Sequence, residues 1–310
     1  MVFYISSRGH SATTWLARSL MNSGEIVCFH GSRSLGGYAS GGVRDTPVDE
    51  YIKGLAQMES NSGRIFGSIH GYYGVAARPA TVTAGGTFLA ILREPVKRVS
   101  SIFAANVSPI RELAARVGHN SEDVSPHSPI SGSLEEFVAS GLHKRRKTST
   151  DDVAVLGLIG RGTRASTMVV KKCRAQFAAT RPARAPTLRD LGDAIAALFF
   201  GSVRDTVRYD ADAVRECCSR DLIIMERFTT DSDYYNEAIW SRIVGEGVGQ
   251  MSVPLIKRRI NDHVVSVQRD LSPEALFAEW GAVFQEHFLE ELRGHPESVA
   301  AYRHVGYFCP

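Results

Sequence analysis

The chain has 310 residues, 44% of them hydrophobic and 22% charged, with a formal net charge of +3. That length buries a sizeable core, and so mild a charge suits a small anionic ligand and gives no ground for a nucleic-acid partner. Five Cys without regular spacing make neither a disulfide framework nor a zinc site, which predicts a reducing compartment. No stretch approaches the roughly 20 apolar residues that span a bilayer. A strand beginning at residue 2 leaves no room for a leader, so the pattern predicts a cytoplasmic protein.

In chain order, strand-like runs fall at 2–6, 25–29, 64–70, 87–93 and 221–228. Helical patterns fall at 13–22, 47–59, 96–106, 133–141, 188–200, 232–244 and 272–292. This alternation predicts a three-layer α/β/α fold with a central parallel sheet covered on both faces. Residues 107–187 break the rhythm with "VSPHSPISGS", "HKRRKTST" and "TRPARAPT", all rich in turn formers. They read as a lid or acceptor-covering insertion within a single domain spanning 1–310.

Two segments carry the chemistry. The first is the loop after strand 2–6, "SRGHSA" at 7–12, followed by Thr13, Thr14 and Trp15. Small, donor-rich residues between a strand and a helix N-terminus present amides and the positive end of a helix dipole to an anion. The loop has no Lys and does not match the G-x-x-x-x-G-K-[ST] of nucleoside-triphosphate loops. The second is "LREPVKRVSS" at 92–101, a strand ending in Arg93 with Pro95 in the first turn of a helix. Arg93 stands at a strand's carboxyl end, where open α/β sheets bind ligands, and with Ser101 makes a clamp for a second phosphate.

In these residues the chain resembles sulfotransferases that use 3′-phosphoadenosine 5′-phosphosulfate (PAPS). Their phosphosulfate loop reads lysine-serine-glycine-threonine-threonine-tryptophan, against "HSATTW" at 10–15 here. Their 3′-phosphate motif pairs a strand-end Arg with a later Ser, as Arg93 and Ser101 do. Many members keep a lysine-threonine-histidine segment ahead of that Arg, and "SIH" at 68–70 stands at a similar interval. "LIIMERF" and the terminal "HVGYF" are also similar to bacterial members. The likeness covers 2–106 well, 220–245 less, and the middle poorly. His10, Ala12 and Ser68 depart from the family's Lys, Gly and Lys.

The resemblance implies a P-loop-like fold and sulfuryl transfer from PAPS, without a metal, to a hydroxyl of a glycan, lipid or other small metabolite. His70 falls at the general base. His10 or Arg8 takes the place of the missing loop Lys. Arg8, Gly9, His10, Ser11, Ala12, Thr13 and Thr14 would hold the 5′-phosphosulfate, with Trp15 stacked on the adenine. Arg93 and Ser101 would hold the 3′-phosphate, helped by Arg258 and Arg259 of the basic segment at 257–259. Each has a plainer reading: Trp15 as core, His70 as a strand-end histidine, the basic segments as solvated charge, and Glu226 as a structural partner. Two other functions stay open, a nucleotide-dependent kinase and a non-catalytic nucleotide- or RNA-binding protein. The acceptor and the oligomeric state are not legible.

Overall fold

The computed structural model describes residues 1–8, 12–30, 46–70, 73–102, 188–280 except 246–270, and 282–310. For His70, 188–199 and Val283 it describes the backbone alone. The expected insertion 107–187, the helix at 133–141, the basic run at 143–147 and the segment 257–259 lie outside the described residues.

The strands are β1 (Val2–Ser6), β2 (Ile26–His30), β3 (Ile65–His70), β4 (Thr87–Leu92) and β5 (Leu222–Ile224). They form one all-parallel sheet in the order β2-β3-β1-β4-β5. The intervening helices are α1 (Thr13–Met21), α2 (Val48–Ser62) and α3 (Ala77–Thr83), with residues 95–102 forming α4. Then follow α5 (Leu188–Glu216), α6 (Met225–Phe228), α7 (Ser232–Tyr235), a π-helical turn (Asn236–Trp240) and α8 (Ser241–Val244). The chain ends in α9 (Pro273–Ala278), α10 (Ala282–Gly294) and α11 (Pro296–Val305). Among the described residues no helix is long and apolar enough to cross a membrane.

By their internal contacts the residues group into two units. The first is Met1–Glu94, Arg208–Ile260 and Pro296–His304, and it contains the whole sheet. Strand alternation sends successive side chains to opposite faces. Phe3, Ile5, Cys28, Ile69, Leu89, Ile91 and Ile223 pack on one face against Trp15, Leu16 and Leu20 of α1. Phe228, Tyr235, Ile239 and Trp240 complete that cluster. Each such buried side chain contributes roughly 1.5–3 kcal/mol of hydrophobic stabilisation. On the other face Tyr4 stacks on Phe88 at 6.0 Å between ring centroids, and Tyr73 packs on both Tyr4 and Tyr51. Tyr51 donates to Ser68 Oγ at 2.9 Å. Burial pushes its phenol up to about 12, so it remains a neutral donor. Helices α2 and α3 cover this second face, giving three layers.

Gly67 is required by a close approach. It is the register partner of Phe3, and an added Cβ would overlap the Phe3 ring. The missing side chain lets that ring lie flat across the neighbouring strand.

The second unit is Pro95–Val207, Asn261–His295 and Val305–Pro310. Pro95 occupies the first helical position of α4, whose Val96, Arg98, Val99 and Ser100 are buried. Phe200 stacks on Phe284 at 5.1 Å and meets the His287 ring edge-on at 4.8 Å. Phe277 gathers Trp280, Phe288 and Phe308 around it.

Three expected elements differ, and two helices stand where none was expected. The strand expected over 221–228 stops at Ile224, and Met225–Phe228 turn into helix because Met225 and Phe228 share one helical face toward the core. The helix expected over 272–292 is broken between Ala278 and Ala282, where the Trp280 ring meets Phe277 and Phe288. The helix expected at 188–200 runs on to Glu216. Helices α3 and α11 form where no element was expected.

Candidate functional site

Parallel strands end at one edge, so a ligand site is read there. The chain leaves β1 toward β2 and leaves β4 toward β5, in opposite directions along the sheet. Neighbouring β1 and β4 therefore flank the point where connections diverge, the usual binding crevice of open α/β sheets. At that edge β1 delivers Ser6, Ser7 and Arg8, and β4 delivers Arg93 and Glu94.

On the β1 side Ser7 is buried and Arg8 half-buried. Gly9, His10 and Ser11 lie outside the described residues. Ala12 is the N-cap of α1, in the left-handed conformation at φ 53° and ψ 24°. Thr13 is thus the first helical residue. Among the described residues no side chain caps α1, and no acidic residue lies in its first turn. The first-turn amides, which have no acceptor within the helix, are left to other partners.

Thr13 and Thr14 have a common neighbour. His30, the last residue of β2, brings Nε2 to 2.9 Å from Thr13 Oγ1 and 3.4 Å from Thr14 Oγ1. Sequence reasoning missed it. Its signal in the sequence is a histidine directly after the apolar run "IVCF", as His70 follows the apolar run of β3. Beneath the loop, Tyr209 of α5 donates to Ser6 Oγ at 3.0 Å, and both residues are buried. More than 200 residues separate the pair, so no local pattern reveals it.

On the β4 side Arg93 is half-buried and Glu94 is buried. The Glu94 amide donates to Glu226 Oε1 at 3.2 Å. Glu226 thus pairs with the backbone at the carboxyl edge, from the first turn of α6 and not from a strand end. Arg227 lies over the Tyr234 ring at 4.0 Å, while Tyr234 Oη accepts from the Ile224 amide at 3.1 Å.

His70 ends β3 level with Ser6, its register partner on β1. Its side chain lies outside the described residues, as do Arg258 and Arg259. Ser101 belongs to the second unit, where its hydroxyl donates to the Lys97 carbonyl at 2.8 Å. Trp15 is only 7% exposed, stacked on Phe228 at 6.0 Å and edge-on to Tyr235 at 5.9 Å. Its ring is occupied by the core of the first unit. Ser7, Arg8, Thr13, Thr14 and Arg93 thus share one sheet edge, and Trp15 turns away into the hydrophobic layer.

The opposite edge holds a separate polar cluster. Asp221 precedes β5 and receives Arg242 at 2.7 Å, Arg78 at 3.3 Å and the Cys218 thiol at 3.0 Å. Burial alone would raise its carboxyl, but the thiol and the two guanidinium groups hold it below the ordinary carboxylate range. Burial pushes the neighbouring Cys217 thiol up to about 12. These groups knit Arg78 of α3, Asp221 and Arg242 of α8 together at the amino edge of the sheet.

No family model, no curated protein and no solved structure matches this chain.

Proposed function

We propose that this chain is a PAPS-dependent sulfotransferase with a P-loop-like nucleotide site, acting on a hydroxyl of a carbohydrate or other small-molecule acceptor. The observation that supports it best is the pairing of a donor loop on β1 with Arg93 on β4, the two neighbours at which the sheet's connections diverge. The donor set fits a doubly anionic nucleotide. It comprises Arg8, Arg93, the Thr13 and Thr14 hydroxyls and the first-turn amides, with no acidic residue in that turn.

In this reading the loop amides, Thr13 and Thr14 hold the 5′ group, and Arg93 holds the 3′-phosphate. Arg is suited to that task because its planar guanidinium matches two phosphate oxygens at once. The nucleotide supplies an electron-poor sulfuryl group, so the protein's contribution is positioning and charge neutralisation. Arg8 supplies positive charge beside the loop that has no Lys. His70, level with Ser6 at the same edge, takes the acceptor's hydroxyl proton. An imidazole suits this because its ordinary pKa lies near working pH.

A thermal-shift panel tests the reading. Adenosine 3′,5′-bisphosphate should raise the unfolding temperature more than ATP with magnesium or a short RNA. A larger shift with ATP and magnesium would favour the kinase, and one with RNA the non-catalytic binder.

A further inference from the structure

Resting on the nucleotide reading above, we propose that His30 is a positioning residue of the donor loop: through Nε2–H it feeds the Thr13 and Thr14 oxygens and turns both hydroxyl protons toward the nucleotide's 5′ group. The geometry that suggests this is one ring nitrogen serving two adjacent hydroxyls, at 2.9 Å and 3.4 Å. A threonine hydroxyl carries one proton and two lone pairs, and a neutral imidazole nitrogen is either a donor or an acceptor. Were Nε2 an acceptor, it would consume the proton of one threonine, and that threonine would be lost as an anion donor. As a donor, a single N–H shared between two oxygens uses lone pairs only. Both protons then stay available to an anion.

The placement agrees with this role. His30 ends β2, the strand on which α1 packs, and β2 is not hydrogen-bonded to β1. The imidazole therefore reaches the first turn of α1 from a strand that carries no part of the loop itself. It supports the donors from beside them, and the bound group is touched by the threonines. Thr13 and Thr14 are half-buried, and the imidazole gives their hydroxyls a fixed neighbour. Pre-orientation of that kind is what separates a donor that happens to be near from one that binds.

The test is calorimetry on the full chain with two nucleotides, adenosine 3′,5′-bisphosphate and adenosine 3′-monophosphate. Only the first carries the 5′-phosphate that the threonines would meet. His30→Leu should weaken the bisphosphate about three- to tenfold, the range of one or two neutral hydrogen bonds. It should leave the monophosphate within twofold. His30→Gln, whose side-chain amide can place an N–H near the Nε2 position, should recover most of the loss. If His30→Leu does not fold, His30→Asn, one methylene too short to reach, takes its place. Equal weakening of both nucleotides, or no recovery in His30→Gln, would overturn the role of His30 while leaving the nucleotide site intact. A wild-type chain that binds neither nucleotide would overturn the nucleotide reading, and this proposal with it.

Discussion

Ser6 and His70 are register partners across β1 and β3, each the last residue of its strand. The backbone thus brings a histidine level with the start of the donor loop, although 63 residues separate the two in the chain. A general base must come within hydrogen-bond reach of the proton it removes, and positioned proton transfer contributes about 10²–10⁴-fold. His70→Ala should lower turnover by that order and leave nucleotide affinity nearly unchanged. His10→Ala, within the loop, should weaken both. Steady-state kinetics with parallel calorimetry separates the two histidines. If His10→Ala removes turnover with binding intact, their roles are exchanged.

Ala12 holds a left-handed conformation that costs a non-glycine residue roughly 1–2 kcal/mol. Glycine relieves that strain but adds freedom to the unfolded chain, at a cost of about 0.4–1 kcal/mol. Ala12→Gly should therefore stabilise the protein by up to about 1 kcal/mol in urea unfolding. A clear loss of stability would show that the Ala12 methyl makes packing contacts that outweigh its strain.

Gly67→Ala should destabilise by about 1–3 kcal/mol, the usual cost of forcing atoms into a filled core. The cause is the Phe3 ring lying across the position an added Cβ would take. Pairing the change with Phe3→Leu should recover part of the loss, and thermal unfolding of the two variants checks it.

Asp221 gives the protein an acid-sensitive brace. Its folded value lies below the ordinary 3.8, held there against the opposing effect of burial by Cys218, Arg242 and Arg78. Because the folded value is the lower one, the stabilisation is present above pH 3.8 and lost as pH falls through the folded value. Asp221→Asn should cost roughly 1.5–3 kcal/mol at neutral pH. It should also flatten the acid limb of the stability curve. The brace stands at the amino edge of the sheet, so nucleotide affinity should not change with it. An unchanged acid limb would mean that other carboxylates set it.

Much of the first unit was legible because its strands are short apolar runs bounded by turn formers. Strand β1 is the run "VFYIS" itself, and Pro95 marks the start of α4 as its fixed φ predicts. The errors have local causes. "MERF" continues an apolar run but has helical spacing at Met225 and Phe228, so β5 is only three residues long. "ARPATVT" looks like a turn, with Pro79 and β-branched residues, yet Pro79 falls in the first turn of α3, where its missing N–H costs nothing. Pro296 and Glu297 are a start signal for α11, but a helix of ten residues so close after α10 merges with it in the sequence pattern. The donor loop was legible as local sequence, but its supports were not. His30 reaches Thr13 across 17 positions and Tyr209 reaches Ser6 across 203, distances at which only the folded sheet brings residues together.

Calorimetry with adenosine 3′,5′-bisphosphate against AMP tests most directly whether Arg93 holds a 3′-phosphate. Charge-assisted hydrogen bonds contribute roughly 1.5–3 kcal/mol each, so the bisphosphate should bind at least about tenfold more tightly. Arg93→Ala should remove most of that preference and leave AMP affinity nearly as it was. Equal affinity of the wild-type chain for the two nucleotides would contradict the sulfotransferase reading.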